Sequence, residues 1–116
     1  MVINNWNLGI IEFQEEVKVV LLNRANVVLG IYEMSKGGIS GTVVDIRIIL
    51  AVALKSSASG IILVHNHPSG DPEPSDADRR ITERLKEALG LMDIRVIDHV
   101  VVGSDGCTSF AEKGYM

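Results

Sequence analysis

Cysteine is all but missing from this chain: Cys107 is the single one among 116 residues. An internal disulfide is therefore excluded, and cysteine usage gives no sign of an oxidising compartment. A thiolate zinc knuckle is excluded too, because the lone thiol has no partner at ligand spacing. Aromatic residues make up only 4% of a chain that is 47% hydrophobic, so the core must be built mainly of Val, Ile, Leu and Ala. No apolar run reaches the ~18 residues of a membrane span. The start, Met1-Val2-Ile3-Asn4-Asn5-Trp6-Asn7, lacks the basic opening and cleavage site of a secretory leader. A cytoplasmic protein with no membrane partner is the expectation. A basic excess is also lacking. The 11 Lys and Arg residues are scattered among 15 acids, for a net charge of −4, whereas a nucleic-acid module normally carries a basic field. Charge does not support a nucleic-acid partner.

What is present reads as one α/β domain. A chain of this length can bury roughly 60–70% of its unfolded surface around a single core. A strand is expected at about 17–22 and another at about 27–32, joined by the turn-rich Asn23-Arg24-Ala25-Asn26. Ser35-Lys36-Gly37-Gly38 then breaks the pattern. Asp45 is placed to cap a helix to about Lys55, with Ile48, Ile49, Val52 and Ala53 facing inward. The apolar run Gly60-Ile61-Ile62-Leu63-Val64 predicts a buried strand that ends at Pro68. From Asp76 to Leu89 the apolar residues Ala77, Ile81, Leu85, Ala88 and Leu89 form a helical stripe, with Gly90 as its left-handed stop. A strand near 94–102 and a short last one at 107–110, after the Ser104-Asp105-Gly106 turn, complete the map. Residues 1–12 show no period and read as an extension or linker ahead of a domain spanning 13–116.

The densest chemistry lies between His65 and Asp78, in the run His65-Asn66-His67-Pro68-Ser69-Gly70-Asp71-Pro72-Glu73-Pro74-Ser75-Asp76-Ala77-Asp78. Strand side chains alternate, so His65 and His67 project the same way, roughly 7 Å apart along the chain. Ser75 is a natural N-cap, which makes Asp78 the third helical residue. One reading of that pair is a plain capping box with acids near the positive helix end. Asp is short for that role, which Glu or Gln usually fills. The other reading makes Asp78 the third ligand of a metal held by His65 and His67. Two imidazoles and one carboxylate leave a tetrahedral ion one position short, the hallmark of a catalytic site. Zinc is the metal this donor set favours, since hard ions such as Mg²⁺ avoid imidazole.

His-x-His, seven residues, Ser, two residues, Asp resembles the JAMM signature of the MPN+ metalloprotease superfamily. Within it, His-Asn-His-Pro-Ser-Gly-Asp-Pro-Glu-Pro-Ser is similar to the bacterial RadC branch. Val-Leu-Leu-Asn-Arg-Ala-Asn, Gly-Gly-Ile-Ser-Gly-Thr, Asp-Ile-Arg-Val-Ile-Asp-His-Val and Ser-Phe-Ala-Glu-Lys-Gly are RadC-like as well. The resemblance runs from about Glu15 to the C-terminus. It implies an α/β fold of the α+β, cytidine-deaminase-like JAMM type, with one mixed sheet and flanking helices. It also implies zinc on His65, His67 and Asp78, oxyanion stabilisation by Ser75, and cleavage of a peptide or isopeptide bond in a peptide or protein substrate. JAMM enzymes take a general acid/base from a glutamate on an early strand. Glu12, Glu15 and Glu16 are available, and counting back from Asn23 selects Glu16, with Glu15 on the opposite face as runner-up. Without the metal motif, two acids ahead of a strand would be read as solvated.

The RadC resemblance carries an association with DNA repair, so the alternative is a repair-associated module that binds rather than cleaves. Relatives often add an N-terminal helix-hairpin-helix region, and nothing of that kind is expected here. Three further features are weighed on their own residues. His99, beside Asp98, lacks matched spacing and is expected to be packed or hydrogen-bonded rather than a fourth ligand. Arg79, Arg80, Arg84 and Lys86, interleaved with Asp78, Glu83 and Glu87, read as a solvated helix face. Gly37-Gly38 and Ser40-Gly41 fit either a plain turn or a close approach by a substrate backbone.

Overall fold

The structure, a computed structural model, describes residues 16–36, 44–67 and 71–116. Strand β1, Glu16–Leu22, is buried along its whole length. Its run from Val17 to Leu22 is nearly continuous in Val and Leu, as burial on both faces requires. At its end Asn23 folds the chain back: its side chain accepts from the amides of Ala25 and Val27 at 2.9 and 3.0 Å. Asn26 takes φ 62° there, a left-handed conformation that Asn tolerates. The chain returns as β2, Val28–Lys36, longer than its apolar pattern announced. Asp45 caps α1, Ile46–Lys55, by accepting from the Arg47 amide at 2.9 Å, and Ile49 and Ala53 face the core.

Strand β3, Gly60–Asn66, runs antiparallel to β1 and parallel to β4, Arg95–Gly103. Helix α2, Asp76–Gly90, makes the crossover between those parallel strands. Strand β5, Gly106–Ser109, closes the order β2-β1-β3-β4-β5, and α3, Phe110–Lys113, follows. The result is one mixed sheet with flanking helices, the α+β architecture expected. On one face Val17, Val19, Leu21, Ile61 and Leu63 pack with Ile49 and Ala53 of α1 and Leu85 and Leu89 of α2. Val20, Leu22, Val64, Val100 and Val102 cluster on the other. No helix among the described residues is long and apolar enough to cross a membrane.

Two local expectations are corrected. Gly90 ends α2 without turning left-handed; the Leu89 carbonyl accepts from both Met92 and Ile94, and Asp93 takes the positive φ of 57°. Phe110 begins a helix instead of ending a strand. Ser109 caps it by accepting from the Glu112 amide at 3.2 Å, and Gly114 stops it at φ 73°. The proposed boundary at residues 12 and 13, the glycines of 37–41, Glu12 and Glu15 all lie outside the described residues.

Candidate metal centre

The site sits where the parallel strands end and α2 begins. His65 is flanked by Val17 of β1 and Val101 of β4. His67 lies one residue past β3, yet its amide still donates to the Val102 carbonyl at 2.8 Å. The sheet thus holds both histidine backbones. His67 Nδ1 is 3.1 Å from the Asp71 carbonyl oxygen, which can only accept, so Nδ1 donates to it and Nε2 faces inward. On α2, Ser75 Oγ accepts from the Asp78 amide at 3.1 Å, and Asp78 Oδ2 accepts from the Ser75 amide at 2.8 Å. The short Asp side chain therefore does complete a capping box, and the same carboxylate faces the histidines. The capping-box carboxylate and the candidate ligand are the same side chain.

His65 Nε2 lies 3.1 Å from Asp78 Oδ1, and His67 Nε2 lies 3.1 Å from Asp78 Oδ2. The two Nε2 atoms are 3.2 Å apart. The spacing of the two nitrogens matches one edge of a tetrahedron about an ion with ligand bonds of about 2.0 Å, and each nitrogen faces a different oxygen of the carboxylate. His65, His67 and Asp78 can hold a metal ion, one ligand atom each. Burial alone would raise the Asp78 carboxyl, but hydrogen bonds from the two imidazoles hold it well below the usual carboxylate range. A metal cation would take the place of the protons that those imidazole Nε2 atoms share with it. The His67 side chain keeps 18% exposure against 7% for His65, so solvent reaches the site on the His67 side.

Behind His65 stands His99, which is not a ligand. Its Nε2 lies 2.8 Å from His65 Nδ1, its Nδ1 lies 2.6 Å from Thr82 Oγ1, and its ring stacks on Phe110 at 4.4 Å. Thr82 was missed by the sequence reading; its one signal is its place a turn after Asp78 on the same helix face. Burial pushes the His99 imidazole down to about 3, with the charges of His65 and His67 adding to the effect against Asp78. The unfolded ring titrates near 6.5, so between those values the unfolded chain binds the extra proton. Stability must then fall as pH drops through that window. With a chelator present, the urea midpoint is expected to decline from about pH 7 towards pH 4, and less steeply in His99→Gln. Equal pH slopes for the two proteins would contradict the buried neutral ring.

The register sets the face on which Glu16 lies. Pairing of β1 with β3 is unbroken from Val17 opposite His65 to Leu22 opposite Gly60. Directly opposed residues share a face, so His65 shares its face with Val17, and alternation sends Glu16 to the other. Glu16 is buried, and its amide donates to Asn66 Oδ1 at 2.6 Å. Glu16 and His65 lie on opposite faces of the sheet.

A family model for the RadC-like JAB domain matches residues 4–115. A UPF0758 protein of Vibrio cholerae is 49% identical over 105 residues, covering 90% of this chain and 66% of its own. One from Salinibacter ruber is 48% identical over 101 residues, covering 87% and 43%. One from Flavobacterium johnsoniae is 42% identical over 100 residues, covering 86% and 44%. The chain spans about half to two thirds of the length of these relatives. It belongs to the RadC-like JAB domain family.

Proposed function

We propose that this RadC-family domain is a zinc-dependent hydrolase that cleaves a peptide or isopeptide bond in a peptide or protein substrate. One observation carries the reading: two imidazole nitrogens and one carboxylate oxygen converge within 4.8 Å of one another, a donor set that leaves a tetrahedral ion a fourth position for water or substrate. Two imidazoles favour zinc over magnesium or calcium. When bound, the ion would polarise a substrate carbonyl and lower the pKa of its water towards about 7. The protein's own groups supply the rest. Asp71 and His99 hold the two rings by their Nδ1 atoms. Accepting from the Asp78 amide uses a lone pair of Ser75 Oγ and leaves its proton to donate to a developing oxyanion. A carboxylate must still take the proton of the attacking water and pass it to the leaving amine. With Glu16 on the far face of the sheet, that work falls to Glu15, the runner-up.

Ser75→Ala separates capping from catalysis. Loss of the cap should cost about 1 kcal/mol of stability. Loss of an oxyanion donor should lower kcat by roughly a hundredfold or more with the metal still bound. Unchanged turnover in Ser75→Ala would leave the cap as its whole role. For the reaction itself, the zinc-loaded protein is screened against a peptide library and isopeptide-linked substrates, with Asp78→Asn as control. Cleavage that a chelator stops and zinc restores supports the proposal. Cleavage that persists undiminished in Asp78→Asn overturns it.

A further inference from the structure

The carbonyl oxygen of Asp78 can only accept a hydrogen bond. Thr82, one turn along α2, donates its hydroxyl to that oxygen at 3.0 Å. A hydroxyl has one proton, so towards His99 Nδ1, 2.6 Å away, the Thr82 oxygen acts as acceptor. His99 then carries its proton on Nδ1, and Nε2 of the neutral ring offers a lone pair. That lone pair meets His65 Nδ1 at 2.8 Å, which must donate to it. In that arrangement His65 has a bare Nε2, the atom that faces Asp78 and His67. Without a cation the Asp78 carboxylate, 3.1 Å away, competes for a proton on that Nε2; a bound cation needs the links to run as just given. Thr82 and His99 are 1% and 0% exposed, so no bulk water competes for either link.

We infer that Thr82 and His99 form a positioning relay that holds His65 in the tautomer a bound cation needs, with its Nε2 lone pair turned into the metal centre. The relay begins at the backbone oxygen of Asp78 and returns to the Asp78 carboxylate. One helix residue therefore both provides a ligand and sets the proton arrangement of the ligand opposite. Phe110 backs the His99 ring, which prevents the imidazole from swinging away. Neither Thr82 nor His99 touches the ion position, so each acts only through His65.

The inference rests on the metal reading above, and its tests tell the two apart. Ring ¹⁵N NMR of the zinc-loaded protein at about pH 8, above the ordinary imidazole range, should show His99 protonated on Nδ1. A His99 protonated on Nε2 overturns the relay. Thr82→Val keeps the side-chain shape and removes the hydroxyl. It should weaken zinc binding roughly 10–100-fold in a chelator competition, with Thr82→Ser restoring it. Wild-type affinity in folded Thr82→Val also overturns the relay and leaves the metal reading standing. Should Thr82→Val fail to fold, the wild-type His99 tautomer decides alone. A wild type that binds no zinc would sink the metal reading and the relay with it.

Discussion

Asp78→Asn is expected to abolish stoichiometric metal binding while leaving the domain folded. The amide retains an oxygen that can accept from the Ser75 N–H, where Asp78 Oδ2 now sits at 2.8 Å. The start of α2 therefore stays capped. What is lost is the negative charge that a cation between two imidazoles needs. His65→Ala and His67→Ala each leave two protein ligands and should behave alike. Removing an outer hydrogen-bond partner alone weakens metal binding roughly 10–100-fold, so removing a direct ligand should exceed that. Zinc at roughly a hundred times its Kd would stabilise the wild type by about 2.7 kcal/mol, which is about 10 °C in Tm for a domain of this size. None of the three variants should show that shift. Elemental analysis gives the independent count, close to one zinc per wild-type chain. Cys107 is exposed, and Cys107→Ser should leave the count unchanged. A full equivalent of zinc in His65→Ala/His67→Ala would overturn the site.

The candidate triad is legible in the sequence because its signals are local. Histidines two apart on a strand share a face wherever the strand sits, and Ser75 with Asp78 marks a helix start by spacing alone. The capping box was undervalued for a local reason as well. Asp was judged too short to reach back, yet Asp78 Oδ2 meets the Ser75 amide at 2.8 Å. His99 and Thr82 stand on a different footing. They are 17 residues apart, and they meet only because β4 lies parallel beside β3 while α2 crosses between them. No spacing in the chain announces such a pair. The helix of Phe110–Lys113 was lost for want of length, since four residues show no period. Strand register is the hardest of these to read. It depends on a partner strand more than forty residues away, and a slip of one residue exchanges the two faces.

Glu15→Gln is expected to abolish turnover, while Glu16→Gln keeps it. A general base must come within about 2.6–3.2 Å of the proton it removes, directly or through one water. Glu16 cannot meet that demand from the face opposite His65, because the sheet has no gap between β1 and β3. Its burial among β1 neighbours and the bond from its amide to Asn66 Oδ1 mark a residue that holds the strand end. Glu16→Gln should therefore act on stability, with kcat near the wild-type value. Glu15 lies outside the described residues, and it is proposed, as the runner-up of the sequence reading, because Glu16 sits on the face opposite Val17 and His65. Losing the base should cost roughly 10²–10⁴ in kcat, with zinc content and Tm unchanged. Steady-state kinetics beside elemental analysis of the same preparations make the comparison. A dead Glu16→Gln with an active Glu15→Gln would mean that β1 slides by one residue against β3 in solution. If both remain active, Glu12→Gln becomes the remaining candidate on this segment; activity in that variant too would remove a strand-borne carboxylate from the mechanism altogether.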